Sequence, residues 1–222
     1  MDILTYIVEN FSTLLDLTIQ HIVIVFSSVF IAILTGVPLG IIICSSRIAS
    51  RIVLGAATVL LTIPSIALFG VLIPILSPIG HGIGTVPAVV AVVLYSLLPI
   101  VRNTYVAISG LDSALMEAAR GIGLRPWQRL FWIELPMAVP MIMAGVRIAV
   151  VSNIGVAAVA AYVGAGGLGR LISRGIAQSD PRQLITGAVA IALLAVLIDL
   201  VLLQVQRLLT SPGLRRRAGG AS

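Results

Sequence analysis

The sequence predicts an all-α membrane protein, a polytopic bundle of five transmembrane helices with the N-terminus outside and the C-terminus inside. Three observations carry that expectation. Of 222 residues, 59% are hydrophobic and only 10% are charged, too little charge to cover a water-soluble domain of this size. The apolar residues fall in long continuous blocks, which suits helices rather than the alternating strands of a membrane barrel. The charges that remain divide unequally between the segments joining the blocks.

Five blocks are long enough to cross about 30 Å of hydrocarbon as helices. Residues 21–44 are uncharged, and Gly36, Pro38 and Gly40 in this block should bend or thin the helix. Residues 52–76 form the second block, interrupted by Pro64 and Pro74. Residues 86–105 form the third, with Pro99 near its end. Residues 137–162 carry one charge, Arg147, and residues 184–206 carry Asp199. Prolines do not exclude helix here, because neighbours in a membrane bundle can satisfy the carbonyls they free.

The 14 basic residues are all arginine, and they orient the chain. Arg47, Arg51, Arg102, Arg120, Arg125, Arg129, Arg207, Arg215, Arg216 and Arg217 fall on one side of the alternating blocks. Arg170, Arg174 and Arg182 fall on the other, with the acidic N-terminus. The arginine-rich side is expected to be cytoplasmic. The first 17 residues hold Asp2, Glu9 and Asp16 and no basic residue, unlike a cleavable leader. Their apolar residues recur at helical spacing, so 1–18 is expected to lie as an amphipathic helix on the outer surface. Residues 1–210 read as one transmembrane domain, and 211–222, rich in Gly and Arg, as a disordered tail.

Residues 106–136, between the third and fourth blocks, do not look like a linker. Leu115, Ala118, Ala119 and Ile122 share one helical face, Gly123 can end that helix, and Pro126 can open another. Leu130, Phe131 and Ile133 form a second apolar face before Pro136. The expectation is a cytoplasmic helix–turn–helix whose apolar surface is too small to fold alone and seeks a partner's groove.

The run EAARGIGLRPWQRLFWIELP carries Glu117-Ala118-Ala119, then Gly123, Ile133 and Leu135-Pro136 at fixed spacing. It resembles the EAA loop of permeases from binding-protein-dependent ABC importers. The segments QHIVIVFSSVFIAILTGVPLGI, TIPSIALFGVLIPIL, YSLLPIVRNTYVAISGLD and LPMAVPMIMAGVRIA extend the likeness over about residues 18–200, towards the glycine betaine, carnitine and choline group. The resemblance implies that the loop is a coupling helix seated in a cytoplasmic ATPase, with Glu117, Ala118, Ala119, Arg120 and Gly123 at the contact. It implies two ATPase subunits carrying ATP and Mg, a second permease copy or paralogue, an extracytoplasmic solute-binding protein and a bacterial inner-membrane location. This chain is then a translocation subunit, not an enzyme, and binds no cofactor itself.

Other residues are weighed against simpler roles. Gly164-Ala165-Gly166-Gly167-Leu168-Gly169 matches a dinucleotide fingerprint literally, but it follows a membrane helix and not a strand. A tightly packed turn at the outer end of the fourth block is the better reading, and the resemblance implies that Gly166 and Gly167 lie near an outer gate. Arg147 and Asp199 are expected to pair or to face a subunit interface, with snorkelling as the alternative for Arg147. Pro64, Ser65, Asn103, Ser152 and Asn153 are candidates for the translocation path or a gate, against plain interhelical hydrogen bonding. The 11 aromatic residues do not cluster into a cage for a quaternary ammonium. No metal-ligand spacing, no phosphate loop and no basic stripe for nucleic acid is present. A same-fold importer of an amino acid, or an ATP-independent channel or carrier, remain the competing functions.

Overall fold

The computed structural model describes residues 3–210, which form helices α1 (Ile3–Glu9), α2 (Phe11–Ile42), α3 (Arg47–Thr62), α4 (Ser65–Leu76), α5 (Thr85–Ser109), α6 (Ser113–Gly121), α7 (Pro126–Arg129), α8 (Leu135–Val159), α9 (Gly169–Ala177) and α10 (Pro181–Leu209). No strand occurs among the described residues. Four stretches are long and apolar enough to cross a membrane: Phe11–Ser45, Thr85–Ser109, Pro126–Val163 and Pro181–Leu209. A fifth candidate is the pair Arg47–Thr62 and Ser65–Ile79, bent by 103°. The tail 211–222 lies outside the described residues.

Helix boundaries follow local chemistry. Ser46 caps α3 by accepting from the Ala49 amide at 3.3 Å. Asp112 caps α6 through the Ala114 amide at 2.9 Å, and Asp180 caps α10 through the Arg182 amide at 3.0 Å. The Arg182 guanidinium also donates to Asp180, holding its carboxyl down at about 2.

Several boundaries differ from those expected. The 1–18 stretch is not one helix: the chain leaves helical geometry at Asn10, whose Nδ2 donates to the Tyr6 carbonyl at 3.0 Å. Residues 11–18 belong to α2, which runs on through Gly36, Pro38 and Gly40 to Ile42. Pro64 does not merely kink a single helix but separates two. The second half of the expected helix–turn–helix is continuous with the next long helix. Pro136 has no amide to offer the preceding turn, and the chain widens there into a π-helix, Leu130–Glu134, in which the Leu135 amide donates to the Leu130 carbonyl. The segment joining the fourth and fifth blocks contains α9.

Chain direction follows from close approaches. Gly36 lies against Ile100 and Val101, Gly40 against Thr104, and the Cys44 thiol points at the Tyr105 carbonyl. Sequence numbers rise together, so α2 and α5 are parallel. The bent pair α3–α4 therefore carries the chain from one end of the bundle back to the other. Helix α8 is antiparallel to α5, with Gly145 against Pro99 and Asn103 and Asn153 donating to Ser96 at 2.9 Å. Helix α10 is antiparallel to α8, with Gln206 donating to the Pro140 carbonyl at 2.9 Å. One end of the bundle gathers the α2–α3 turn and α6. The other gathers Gln20, Gly84 and the Gly-rich turn, joined by Gly84 N–H to Val163 O at 2.7 Å.

The core lies where α2, α5 and α8 meet. Val25, Val29, Ala32, Ala88, Ala91, Val92, Ala149, Val150 and Ala157 are all buried there. Small residues let membrane helices approach closely, so that dispersion drives packing that lipid exclusion cannot. Gly145 marks the tightest approach of α8 to α5: a Cβ there would sit 2.6 Å from the Pro99 carbonyl and 2.7 Å from the Asn103 Cβ. Gly145→Ala in the detergent-solubilised chain is expected to destabilise by about 1–3 kcal/mol. Gly155→Ala, in the same helix with open space around it, should be neutral or mildly stabilising. Thermal unfolding of the two variants checks the difference.

Candidate functional site

Three regions hold the candidate residues: a face of the bundle along α3, α5, α8 and α10, the Gly-rich turn at one end, and the α6–α7 segment at the other.

A cavity of about 360 Å³ opens between α3, α5 and α8. Leu61, Tyr95, Pro99, Asn103, Ser152 and Asn153 line it, so three of the polar residues singled out from sequence share one wall. Asn103 donates to the Pro99 carbonyl at 2.7 Å and Ser152 to the Ile148 carbonyl at 2.6 Å, each satisfied within its own helix. Asn153 is buried and spends its amide on Ser96 and on the Ala149 carbonyl at 2.8 Å, but its Oδ1 has no hydrogen-bond partner. Arg102, counted with the arginine-rich side, lies inside α5 and lines the same cavity.

Tyr95 had drawn no attention as a sequence feature. Its hydroxyl donates to the Ile63 carbonyl, at the break between α3 and α4. That carbonyl lies beyond the last turn of α3 and has no helical partner, so the phenol satisfies a backbone group that hydrocarbon would leave bare. The only sequence signal was the proline of the break, which frees a carbonyl without indicating which side chain meets it. Pro64 and Ser65 sit at the break itself, with Pro64 preceding the first turn of α4, and are not part of the cavity wall.

Arg147 and Asp199 are joined in a two-point ion pair between α8 and α10: Nε donates to Oδ1, and Nη2 to Oδ2 at 2.9 Å. The pair lines a groove of about 480 Å³ with Ala144, Ile148, Val151 and Ser152. Ile148 and Ser152 belong to both hollows, so the groove and the cavity are one continuous face.

Gly166 and Gly167 lie beyond that wall, with His21 standing between Gly167 and the Ile154 carbonyl, next to Asn153. Both have positive φ, 87° and 70°, and pack onto α2. A Cβ on Gly166 would meet the Gln20 Oε1 at 2.5 Å, and one on Gly167 the His21 ring at 3.0 Å. The Gly167 amide donates to Gln20 at 3.2 Å, while the buried His21 Nε2 donates to the Ile154 carbonyl at 3.0 Å. The turn thereby ties α2 to the end of α8.

At the opposite end, α6 holds Glu117, Ala118 and Arg120 exposed and Ala119 buried. Gly123 follows with φ of 79°, and the Leu124 amide returns to the Ala119 carbonyl at 3.2 Å. A glycine at this left-handed position ends a helix at little cost. Ile122, Trp127, Phe131 and Trp132 are all exposed around the turn, the two indoles meeting edge to face with centroids 6.1 Å apart. Arg129 pairs with Glu134 at 2.5 Å across the π-helix.

A family model described as binding-protein-dependent transport system inner membrane component matches residues 36–212. The osmoprotectant import permease protein OsmW of Salmonella typhimurium is 56% identical, the match covering 97% of this chain and all of that protein. The glycine betaine/carnitine/choline transport system permease protein OpuCB of Bacillus subtilis is 38% identical over 96% of this chain and 95% of its own length. Among solved structures, an inward-facing form of the MetNI methionine ABC transporter superposes with a TM-score of 0.81 at 26% identity, covering 89% of this chain and 96% of that one.

Removing the phenol hydroxyl with Tyr95→Phe leaves the Ile63 carbonyl without its donor. The expected cost is about 1–3 kcal/mol, read as a lower unfolding temperature in detergent. An unchanged temperature would mean that the carbonyl has another partner.

Proposed function

The chain belongs to the binding-protein-dependent transport system inner membrane component family, and on that premise we propose that it passes an osmoprotectant, a small zwitterion or quaternary amine, through the membrane in an ATP-driven importer. The observation that carries the reading is the α6 segment: an exposed helix ended by a left-handed glycine and flanked by exposed large apolar side chains, at one end of an apolar bundle. Such a surface is costly in water and favours the groove of a protein partner. The names of the relatives at 56% and 38% identity support the solute class.

In this reading the bundle crosses the membrane five times, with α3–α4 counted as one broken crossing. The N-terminus is outside, and the α6 end and the C-terminus are inside. Partners are two cytoplasmic ATPase subunits, which hold ATP and Mg, a second permease copy or paralogue, and a solute-binding protein docking at the Gly-rich end. Glu117 and Arg120 offer charges to the ATPase, Ala118 and Ala119 allow close backbone approach, and Gly123 sets the angle of the lever. Solute passes along the face lined by Asn103, Ser152 and Asn153, near the α3–α4 break at Pro64 and Ser65. Gly166 and Gly167 form the rigid turn at the outer gate. Motion of the ATPases biases two arrangements of the bundle through α6.

Substitution at Gly123 tests the lever. Gly123→Val has room for its side chain but pays about 1–2 kcal/mol for positive φ, which reshapes α6 without touching the spans. ATP-dependent uptake should fall at least about tenfold for Gly123→Val and for Glu117→Arg, a change of roughly 1.4 kcal/mol or more in coupling, with membrane insertion intact. Uptake at the wild-type rate in both would overturn the reading. An amino acid retained by the partner binding protein, with glycine betaine not retained, would move the solute class to that of the methionine transporter.

A further inference from the structure

The Arg147–Asp199 pair is more open than a structural clasp requires. Both groups sit well inside long apolar helices, yet their side chains keep 31% and 32% of their exposure. Charges left this open towards hydrocarbon are costly, and a pair serving only to join α8 to α10 would be better covered. The two helices are also linked elsewhere, by Gln206 and the Pro140 carbonyl. The pair opens instead into the groove that continues, through Ile148 and Ser152, into the cavity of Asn103 and Asn153.

The remaining valences face a ligand of defined chemistry. A guanidinium has five N–H donors and a carboxylate about four acceptor sites. The pair uses one donor on Nε and one on Nη2, which leaves both Nη1 donors, the second Nη2 donor and further lone pairs on both Asp199 oxygens. The groove thus presents a donor fork beside a negative oxygen, with no net charge. A lone cation or a lone anion gains from one half only, and strands the other charge if the pair parts. A zwitterion can bridge both, its carboxylate on Arg147 and its onium group beside Asp199, so that neither charge is left alone. Because the resting pair already satisfies itself, the solute competes with an internal partner and is not trapped, as passage through a transporter requires.

The geometry points to Arg147 and Asp199 as a station on the transport path that holds zwitterionic solutes by both charges at once. This rests on the importer reading above and adds the residues and the charge rule.

The test uses thiol protection in the assembled transporter, with ATPase and binding protein, in proteoliposomes. Cys44→Ser removes the native thiol, and Val151→Cys places one in the groove. Alkylation is timed with glycine betaine, with choline as a cation lacking the carboxylate, and with 3,3-dimethylbutanoate as an anion of the same shape lacking the positive charge. Glycine betaine at ten times its apparent dissociation constant should slow alkylation by about tenfold, and the two singly charged probes should fail to protect at the same concentration. Arg147→Gln should abolish protection by glycine betaine, and Arg147→Lys, which keeps the charge but not the fork, should retain part of it. Equal protection by all three probes, no protection by glycine betaine, or protection surviving Arg147→Gln would overturn the proposal. ATP-driven glycine betaine uptake by the unsubstituted complex is measured alongside. Its absence would sink the importer reading for this solute class, whereas normal uptake with no charge-dependent protection would sink the station alone.

Discussion

Parallel packing of α2 and α5 constrains everything else in this chain. The glycines at 36 and 40 admit Ile100 and Thr104 to close contact, and this holds two non-consecutive helices side by side in the same direction. Two parallel helices cannot be joined by a short turn. The segment between them must return the full height of the bundle, and α3–α4 does so although neither half is long enough alone. The break at Ile63–Pro64 therefore falls within the pass that returns the chain through the bundle, and the backbone it frees must be satisfied inside protein. Tyr95, from α5, meets that need and at the same time forms one wall of the cavity. Fold and candidate path are in this way built from the same contacts.

The two ends of the bundle are made differently. At the Gly-rich end, positive-φ glycines bring backbone onto Gln20 and His21, and the Gly167 amide bonds the Gln20 side chain. At the α6 end, one left-handed glycine separates a short exposed helix from a continuous rod running from Pro126 to Val163. A push on α6 or α7 has a direct mechanical route into α8, which carries Arg147 towards α10 and Asn153 towards α5. The π-helix at Leu130–Glu134, just before Pro136 and bridged by the Arg129–Glu134 pair, lies on that route.

Much of this was legible in the sequence. The long blocks, the glycine at 123, the proline opening α7 and the partnership of Arg147 with Asp199 all follow from rules that act locally or from the high cost of a lone charge in an apolar segment. What escaped reading depends on neighbours remote in sequence. Pro64 signals a bend, but only the parallel contact of α2 with α5 makes the bend a 103° break within one return. Helix α9 is short and holds Gly169 and Gly175, poor helix formers. Its glycines serve close approach instead, Gly169 to the Ala158 carbonyl and Gly175 to Leu184. Arg170, Arg174 and Arg182 run against the division that the other arginines follow. Arg182 is accounted for by its bonds to Asp180, while nothing in the structure explains Arg170 or Arg174.

The account turns on the bundle presenting α6 to one side of the membrane and the α4–α5 turn to the other. Single cysteines at His81 and Ile122, in a Cys44→Ser background, read that directly with a membrane-impermeant maleimide. In right-side-out vesicles the thiol at His81 should label and the one at Ile122 should not, with the pattern reversed in inverted vesicles. Labelling of both from the same side would contradict a crossing by α5, and labelling of Ile122 from outside would remove α6 from the reach of any cytoplasmic ATPase.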